Sequence, residues 1–341
     1  MNPPVIRPWA PGDETSILAA WNRIFPAQDG LHERDLDWWN WEFRDHPLHK
    51  TEVVVAEVDG QIVGQYAAIP LAALSEGQPT TLGCIVDAFV LPEFRRAGQR
   101  PGLIIHLARR LQELYCGPRA EQGHPGHALL YGYPVPIWRI AQRYLASEMV
   151  RDMDLLFREL SCPGFVPVPL PDGLLVEELQ DEAELIALAD ELWAQVAPGM
   201  RFGLVRDGAW FSWRYARHPG HRYRFLLVRD AASGSARGLA VWRRGSYAVP
   251  DAGIVCDCIC PSDDDAALTA LVHGLERFGL EEGAPLLAAV FPQNHPFFLA
   301  FQRKGFLVGP PSHFLVMNSF GPHVRWLRDR WFFTLGDSDL V

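Results

Sequence analysis

The segment VLPEFRRAGQRPGLI, residues 90–104, gathers three arginines (Arg95, Arg96, Arg100) and two glycines (Gly98, Gly102) just ahead of an apolar helical pattern. Leu103, Leu107, Leu111 and Leu114 share one face of that helix, and Pro101 suits its first turn, where no amide hydrogen bond is lost. A glycine-containing loop that runs into a helix N-terminus offers free backbone N–H groups and the positive end of the helix dipole, and flanking guanidinium groups add charge. Such a loop can cradle an anion, above all a phosphate.

Asp87 stands three residues before Val90 in the apolar stretch CIVDAFVLP. A carboxylate in such a strand is costly unless paired, which makes Asp87 a candidate general base. The stretch GIVCDCICP carries a counterpart, Asp257, which points equally to a structural role. The loop after this second strand holds Asp263, Asp264 and Asp265 in place of arginines. Carboxylates at a helix start complement the dipole themselves and would repel a phosphate, so the cradle is expected in the first half alone.

These segments belong to a longer repeat. WEFRDHPLH (41–49) and WRYARHPGH (213–221) pair Trp41 with Trp213, Phe43 with Tyr215, His46 with His218 and Pro47 with Pro219, all 172 residues apart, and Trp38 and Trp210 keep that offset. The flanks agree in order and kind: a strand, two helices, an antiparallel hairpin whose second strand opens on a glycine (Gly64, Gly238), a third strand, a helix, a strand and a helix. The fold class expected is α/β (α+β), with each half a mixed, mostly antiparallel sheet flanked by helices. The four prolines of SCPGFVPVPLPDG suit a stiff linker. The organisation expected is a first domain over 1–160, a linker over 161–174, a second domain over 175–320 and a tail over 321–341.

Trp38 and Trp41, three residues apart, share a helical face, either as core packing or as lining of an acceptor pocket. His-Pro marks the exit from that helix, because a residue before proline disfavours the helical region. The HPGH at 124–127 lies in a Gly/Pro-rich insertion and is not read as a metal site. Alternation in VCDCICP places Cys256, Cys258 and Cys260 on one strand face, as small buried groups in a reducing compartment. A formal net charge of -10 disfavours nucleic acid and fits a cationic small substrate such as an amine. No apolar run is long enough to span a bilayer and the N-terminus lacks the order of a secretion signal, so no membrane partner and a cytoplasmic location are expected.

On Val90, Pro92, Phe94, Arg95 or Arg96, and Gly98, followed by a helix, the sequence resembles the GNAT superfamily of acyl-CoA-dependent N-acyltransferases, as a tandem with a degenerate second copy. Arg100 departs from the family's glycine or alanine. The resemblance implies two GNAT-like domains and acetyl-CoA or another acyl-CoA as co-substrate, with no metal. It implies that Arg95, Arg96, Ala97, Gly98, Gln99, Arg100 and Gly102 surround the CoA pyrophosphate, and that Phe89 and Val90 bond the pantetheine arm. A small-molecule amine would then attack the thioester directly. The family's usual acidic tyrosine is missing: Ala141 and Phe301 stand at its positions, and Tyr144, one turn on, is the nearest substitute. Tyr131 and Tyr133 are candidates, with Trp38 and Trp41, for lining the acceptor cleft. The alternatives are a CoA-binding or structural protein without catalysis, and an acyltransferase with an acyl-carrier-protein donor.

Overall fold

The first half of the chain forms β1 (Val5–Pro8), α1 (Glu14–Ile24), α2 (Leu36–Phe43), β2 (Glu52–Val58), β3 (Gln61–Ser75), β4 (Gln78–Val90), α3 (Leu103–Tyr115), β5 (Leu129–Gly132) and α4 (Trp138–Leu145), the order its patterning predicts, and then a further strand, β6 (Glu148–Glu159). The computed structural model describes residues 2–26, 33–95, 100–122, 126–133 and 138–341. The second half repeats the order with one short strand added: β7 (Leu174–Leu179), α5 (Glu182–Val196), β8 (Phe202–Leu204), α6 (Gly208–Phe211), β9 (Arg224–Asp230), β10 (Ala236–Tyr247), β11 (Val249–Ile259), α7 (Asp265–Glu281), β12 (Leu286–Ala289), α8 (Pro296–Arg303) and β13 (Leu307–Ser319). After it come α9 (Val324–Arg328) and β14 (Trp331–Phe332). Residues 161–173 carry neither helix nor strand, as their prolines require.

Two compact units result, and they interleave along the chain. One gathers residues up to Ala73, Pro79–Arg151 and Leu315–Arg328; the other gathers Leu74–Gln78, Asp152–Phe314 and Asp329–Val341. In the first, the sheet runs β1-β2-β3-β4-β5 and ends on Val316–Ser319 of β13, antiparallel to β5. In the second it runs β7-β9-β10-β11-β12 and ends on Leu156–Glu159 of β6, antiparallel to β12. Both sheets are mixed and mostly antiparallel, with a parallel pair, β4–β5 or β11–β12, at the corresponding place. Cuts at 160, 174 and 320 thus differ from the observed grouping, because periodicity reveals a strand but not its partner, and a four-residue strand such as β5 or β12 would otherwise leave an open edge.

The two glycines that open the hairpin strands let a helix lie close on each sheet. A Cβ on Gly64 would stand 3.2 Å from Leu107 Cδ1 and 3.1 Å from the Phe89 carbonyl, and one on Gly238 would stand 3.0 Å from Leu271 Cδ1. Leu107 and Leu271 are fully buried on α3 and α7. Gly64→Val and Gly238→Val are each expected to lower unfolding free energy by about 1–3 kcal/mol through overpacking, measured by urea denaturation.

One expectation fails on β11. The β10–β11 register steps from Val241↔Asp257 to Trp242↔Val255, which makes Cys256 the extra residue of a β-bulge. Val255, Cys258 and Cys260 join the core beneath α7, while Cys256 turns to the opposite face beside Arg243 and Arg214. The expected common face for three cysteines assumes an unbroken pleat, and the bulge breaks it. None of the six cysteines is in a disulfide.

Candidate active site

α3 begins at Leu103 with Gly102 as its N-cap, in extended conformation. Glycine has no side chain with which to accept from the first-turn amides, and that turn contains no acidic residue. Pro101 precedes the cap instead of lying in the first turn, because Gly102 delays the helix. The corresponding helix α7 is closed by its own carboxylates. Asp264 accepts from the Ala267 amide at 3.0 Å and from Arg237 Nε at 2.6 Å, and Lys304 Nζ donates to Asp265 at 2.5 Å. The positive end of α3 is therefore available to an outside anion, whereas that of α7 is occupied. Arg95 and Arg100 are exposed, Arg95 Nε donating to the Val90 carbonyl at 2.6 Å. Arg96, Ala97, Gly98 and Gln99 lie outside the described residues.

The parallel ladder next to this helix is short in both units. β4 pairs with β5 at Leu82, Gly83 and Cys84, and β11 with β12 at Gly253 and Ile254. Each ladder stops three residues before an aspartate, Asp87 or Asp257. Phe89 and Val90 follow on β4, both buried.

Asp87 adopts a left-handed backbone conformation, φ 50°. Its Oδ1 accepts from Trp21 Nε1 at 3.2 Å, its Oδ2 pairs with Arg34, and its carbonyl accepts from Gln65 Nε2 at 3.2 Å. Arg34 Nη1 also donates to Glu42 at 3.0 Å, and the guanidinium lies 4.2 Å from the Trp21 ring and 4.8 Å from the Trp38 ring. In the second unit Asp257 accepts from Arg206 Nε at 2.9 Å, Trp210 Nε1 at 3.1 Å, Tyr215 Oη at 2.9 Å and Thr334 Oγ1 at 3.1 Å. Both aspartates are thus paired with an arginine, as burial requires. They differ in access: the Arg34 and Asp87 side chains are 15% and 11% exposed, those of Arg206 and Asp257 0%.

Reasoning from the tryptophans alone misses these arginines, although the signal is in the repeat. Arg-Asp-x-x-Trp occurs at 34–38 and again at 206–210, at the same 172-residue offset. Asp35 and Asp207 cap the helices that follow, accepting from the Trp38 and Trp210 amides, both at 2.9 Å.

The remaining expected residues fall in two groups. Trp38 and Trp41 meet edge to face at 5.9 Å, as Trp210 and Trp213 do at 5.6 Å, and half-buried Trp38 also lies against Arg34. Tyr131 and Tyr133, both buried, meet edge to face at 6.0 Å. Tyr144 is half-buried on α4, with Arg143 5.5 Å from its ring and its carbonyl accepting from Arg109 at 3.2 Å. Among the described residues no contact joins Tyr144 to Asp87.

The His-Pro motifs lock turns. His46 Nδ1 accepts from the Leu48 amide at 3.3 Å, His218 Nδ1 from the Gly220 and His221 amides at 3.0 and 3.1 Å, and His295 caps α8 through the Phe297 amide at 3.3 Å. Burial pushes His46 down to about 4, which keeps it neutral in this role. His127 is buried with its Nε2 2.5 Å from Glu52. Among the described residues no group of three or more His, Cys, Asp or Glu could hold a metal ion, and no helix is long and apolar enough to cross a membrane.

Residues 329–341 run into the second unit just past its last β11–β12 pair. Arg206 donates to Asp337 at 2.5 Å, and Arg214 donates to the carbonyls of Gly336, Ser338 and Val341 at 3.0, 2.7 and 2.5 Å. Burial pushes the Asp337 carboxyl up to about 6, against the pull of Arg206, because two buried carboxylates share one guanidinium. A group whose pKa is raised on folding stabilises fully below its unfolded pKa, near 3.8, and loses that contribution as pH rises through about 6. The second unit is expected to lose on the order of 1–3 kcal/mol between about pH 5 and 7.5 relative to the non-titrating Asp337→Asn variant. Urea denaturation at the two pH values measures the difference.

Residues 5–116 match the acetyltransferase (GNAT) domain family. No curated protein sequence matches the chain. Among solved structures, a probable N-acyltransferase from Enterococcus faecalis V583 superposes with a TM-score of 0.64 at 15% identity, over 93% of this chain and 72% of that one. A tandem GNAT protein from the clavulanic acid biosynthesis pathway gives 0.55 at 14% identity, over 94% of this chain and 100% of the other. The N-myristoyltransferase of Saccharomyces cerevisiae, solved with bound myristoyl-CoA, gives 0.55 at 14% identity, over 93% of this chain and 84% of that one. Residues 5–116 thus match the acetyltransferase (GNAT) domain family, and the chain has the fold of GNAT N-acyltransferases, including a tandem one.

Proposed function

We propose that this chain transfers an acetyl or other acyl group from acyl-CoA to the amine of a small-molecule acceptor, and that its first unit performs the reaction. The contrast between the glycine-capped start of α3 and the aspartate-capped start of α7 carries this reading. Backbone N–H groups from Arg96 to Gly102 would hold the CoA pyrophosphate, with Arg95 and Arg100 adding charge. Phe89 and Val90 would bond the pantetheine arm as an added strand.

In the reaction the amine nitrogen attacks the thioester carbonyl carbon, the C–S bond breaks, and the thiolate leaves and takes up a proton. Arg34 bonds both Asp87 and Glu42, and the formal net charge of -10 favours a cationic amine. Asp87 is the candidate to draw the proton from that amine, and Tyr144 the candidate to protonate the thiolate. Tyr144→Phe is expected to lower kcat by about 100-fold with the KM for acetyl-CoA unchanged, read as thiol release over a panel of amines. An unchanged kcat would remove Tyr144 from the mechanism. Two observations favour a second reading, a CoA-binding protein without turnover: Asp87 is held by Arg34, and Tyr144 does not reach it. Tight acetyl-CoA binding with no thiol release for any amine would establish that reading instead.

A further inference from the structure

The His-Pro-x-His motif occurs in both units with the same spacing, yet its two copies do different things. In the first unit the turn closes on itself: His46 is fully buried with Nε2 2.8 Å from the Lys50 carbonyl, His49 Nδ1 is 3.0 Å from the Arg44 carbonyl, and Thr51 Oγ1 donates to the Phe43 carbonyl at 2.9 Å. The second unit has Tyr215 and Tyr223 where the first has Phe43 and Thr51. A cavity of about 440 Å³ lies at this turn, lined by Tyr215, His218, His221, Arg222, Tyr223 and Phe225 among others.

The lining carries two imidazoles, one guanidinium and two phenols, and no carboxylate. His218 Nδ1 already accepts two backbone amides, so the neutral ring bears its hydrogen on Nε2 and is a donor there. The His218 and His221 rings stack at 4.8 Å, and Tyr223 meets both edge on. Arg214 and Arg243 act electrostatically on Tyr223, against the upward push of its burial. Arg243 is 8% exposed, and it bonds the Arg244 carbonyl and the Cys256 thiol. Among the described residues no carboxylate lies within ion-pairing distance of Arg243, and its buried Nε has no partner there. In a chain of net charge -10, a concave site lined by imidazoles, a guanidinium and phenols, with no carboxylate in its lining, favours anions locally.

We propose that this pocket of the second unit is an oxyanion site that takes a phosphate group, held by His218, His221 and Arg222. The site belongs to the second unit and shares no residue with α3, so it does not depend on the acyl-CoA reading.

The test is a titration of the full chain, with its histidine rings labelled, with inorganic phosphate at constant ionic strength, following the imidazole signals by NMR. The expected result is a saturable shift of the His218 and His221 signals with a millimolar Kd, absent with chloride. His221→Asn and Arg222→Ala should each weaken it by about tenfold or more, since each removes a charged or donor group from the anion. Gly102→Asp, which alters only the α3 start, should leave it unchanged. A linear, non-saturating shift, an equal response to chloride, or a shift that survives both pocket variants overturns the proposal. Loss of the shift in Gly102→Asp would place the phosphate at α3 and overturn it equally.

Discussion

Arg206→Met is expected to destabilise the second unit by about 3–5 kcal/mol, because it leaves Asp257 and Asp337 buried without their cation. The guanidinium is fully buried and bonds both carboxylates, at 2.9 and 2.5 Å. Methionine fills a similar volume, so the loss reports the stranded charge more than a cavity. Asp337 also anchors the tail, whose Leu335, Asp337 and Ser338 are buried, so the tail tryptophan Trp331 should lose its buried fluorescence in the same transition. Arg34→Met in the first unit should cost only about 1–2 kcal/mol, because water reaches that cluster and screens it. Urea denaturation of the two variants tests the comparison. Equal losses would contradict the view that the second unit has closed around an arrangement the first keeps open.

Gly102→Asp should separate stability from binding in opposite directions. The N-cap backbone is extended and nothing lies within 4 Å of the position a Cβ would take there, so an aspartate fits. It would do for α3 what Asp264 does for α7. An N-cap aspartate in place of glycine adds a few tenths of a kcal/mol to helix stability. The same carboxylate would stand where the pyrophosphate is proposed to bind. Two unit charges about 4 Å apart repel by about 4 kcal/mol near a protein surface, so acetyl-CoA affinity should fall by about 100-fold or more. A variant that is at least as stable and binds weakly supports the cradle. One that binds as tightly as the native chain shows that the anion is held elsewhere.

Much of the fold was legible because it was written twice. The 172-residue offset located the helix bearing Trp38 and its copy bearing Trp210, and the order of elements brought Asp87 and Asp257 to matching places. The same offset held the Arg-Asp-x-x-Trp signal that explains both aspartates. It was harder to see because Arg34 lies 53 residues from Asp87, and an ion pair leaves no periodicity. The exchange of β6 and β13 between the sheets was not legible either, since alternation marks a strand and is silent on its neighbour. Cys256 shows a third limit: one inserted residue reverses every face read beyond it. Pro101 shows a fourth, because a single extended glycine moved the helix start past the proline that pattern alone would place inside it.

The proposed reaction rests on one acyl-CoA site per chain, at the start of α3. A calorimetric titration of the purified chain with acetyl-CoA tests this most directly, since it reads stoichiometry together with affinity. The expected result is one site at micromolar Kd, about -8 kcal/mol, abolished by Gly98→Asp and unaffected by Asp264→Asn. Two equivalent sites, or a single site that survives Gly98→Asp, would contradict it.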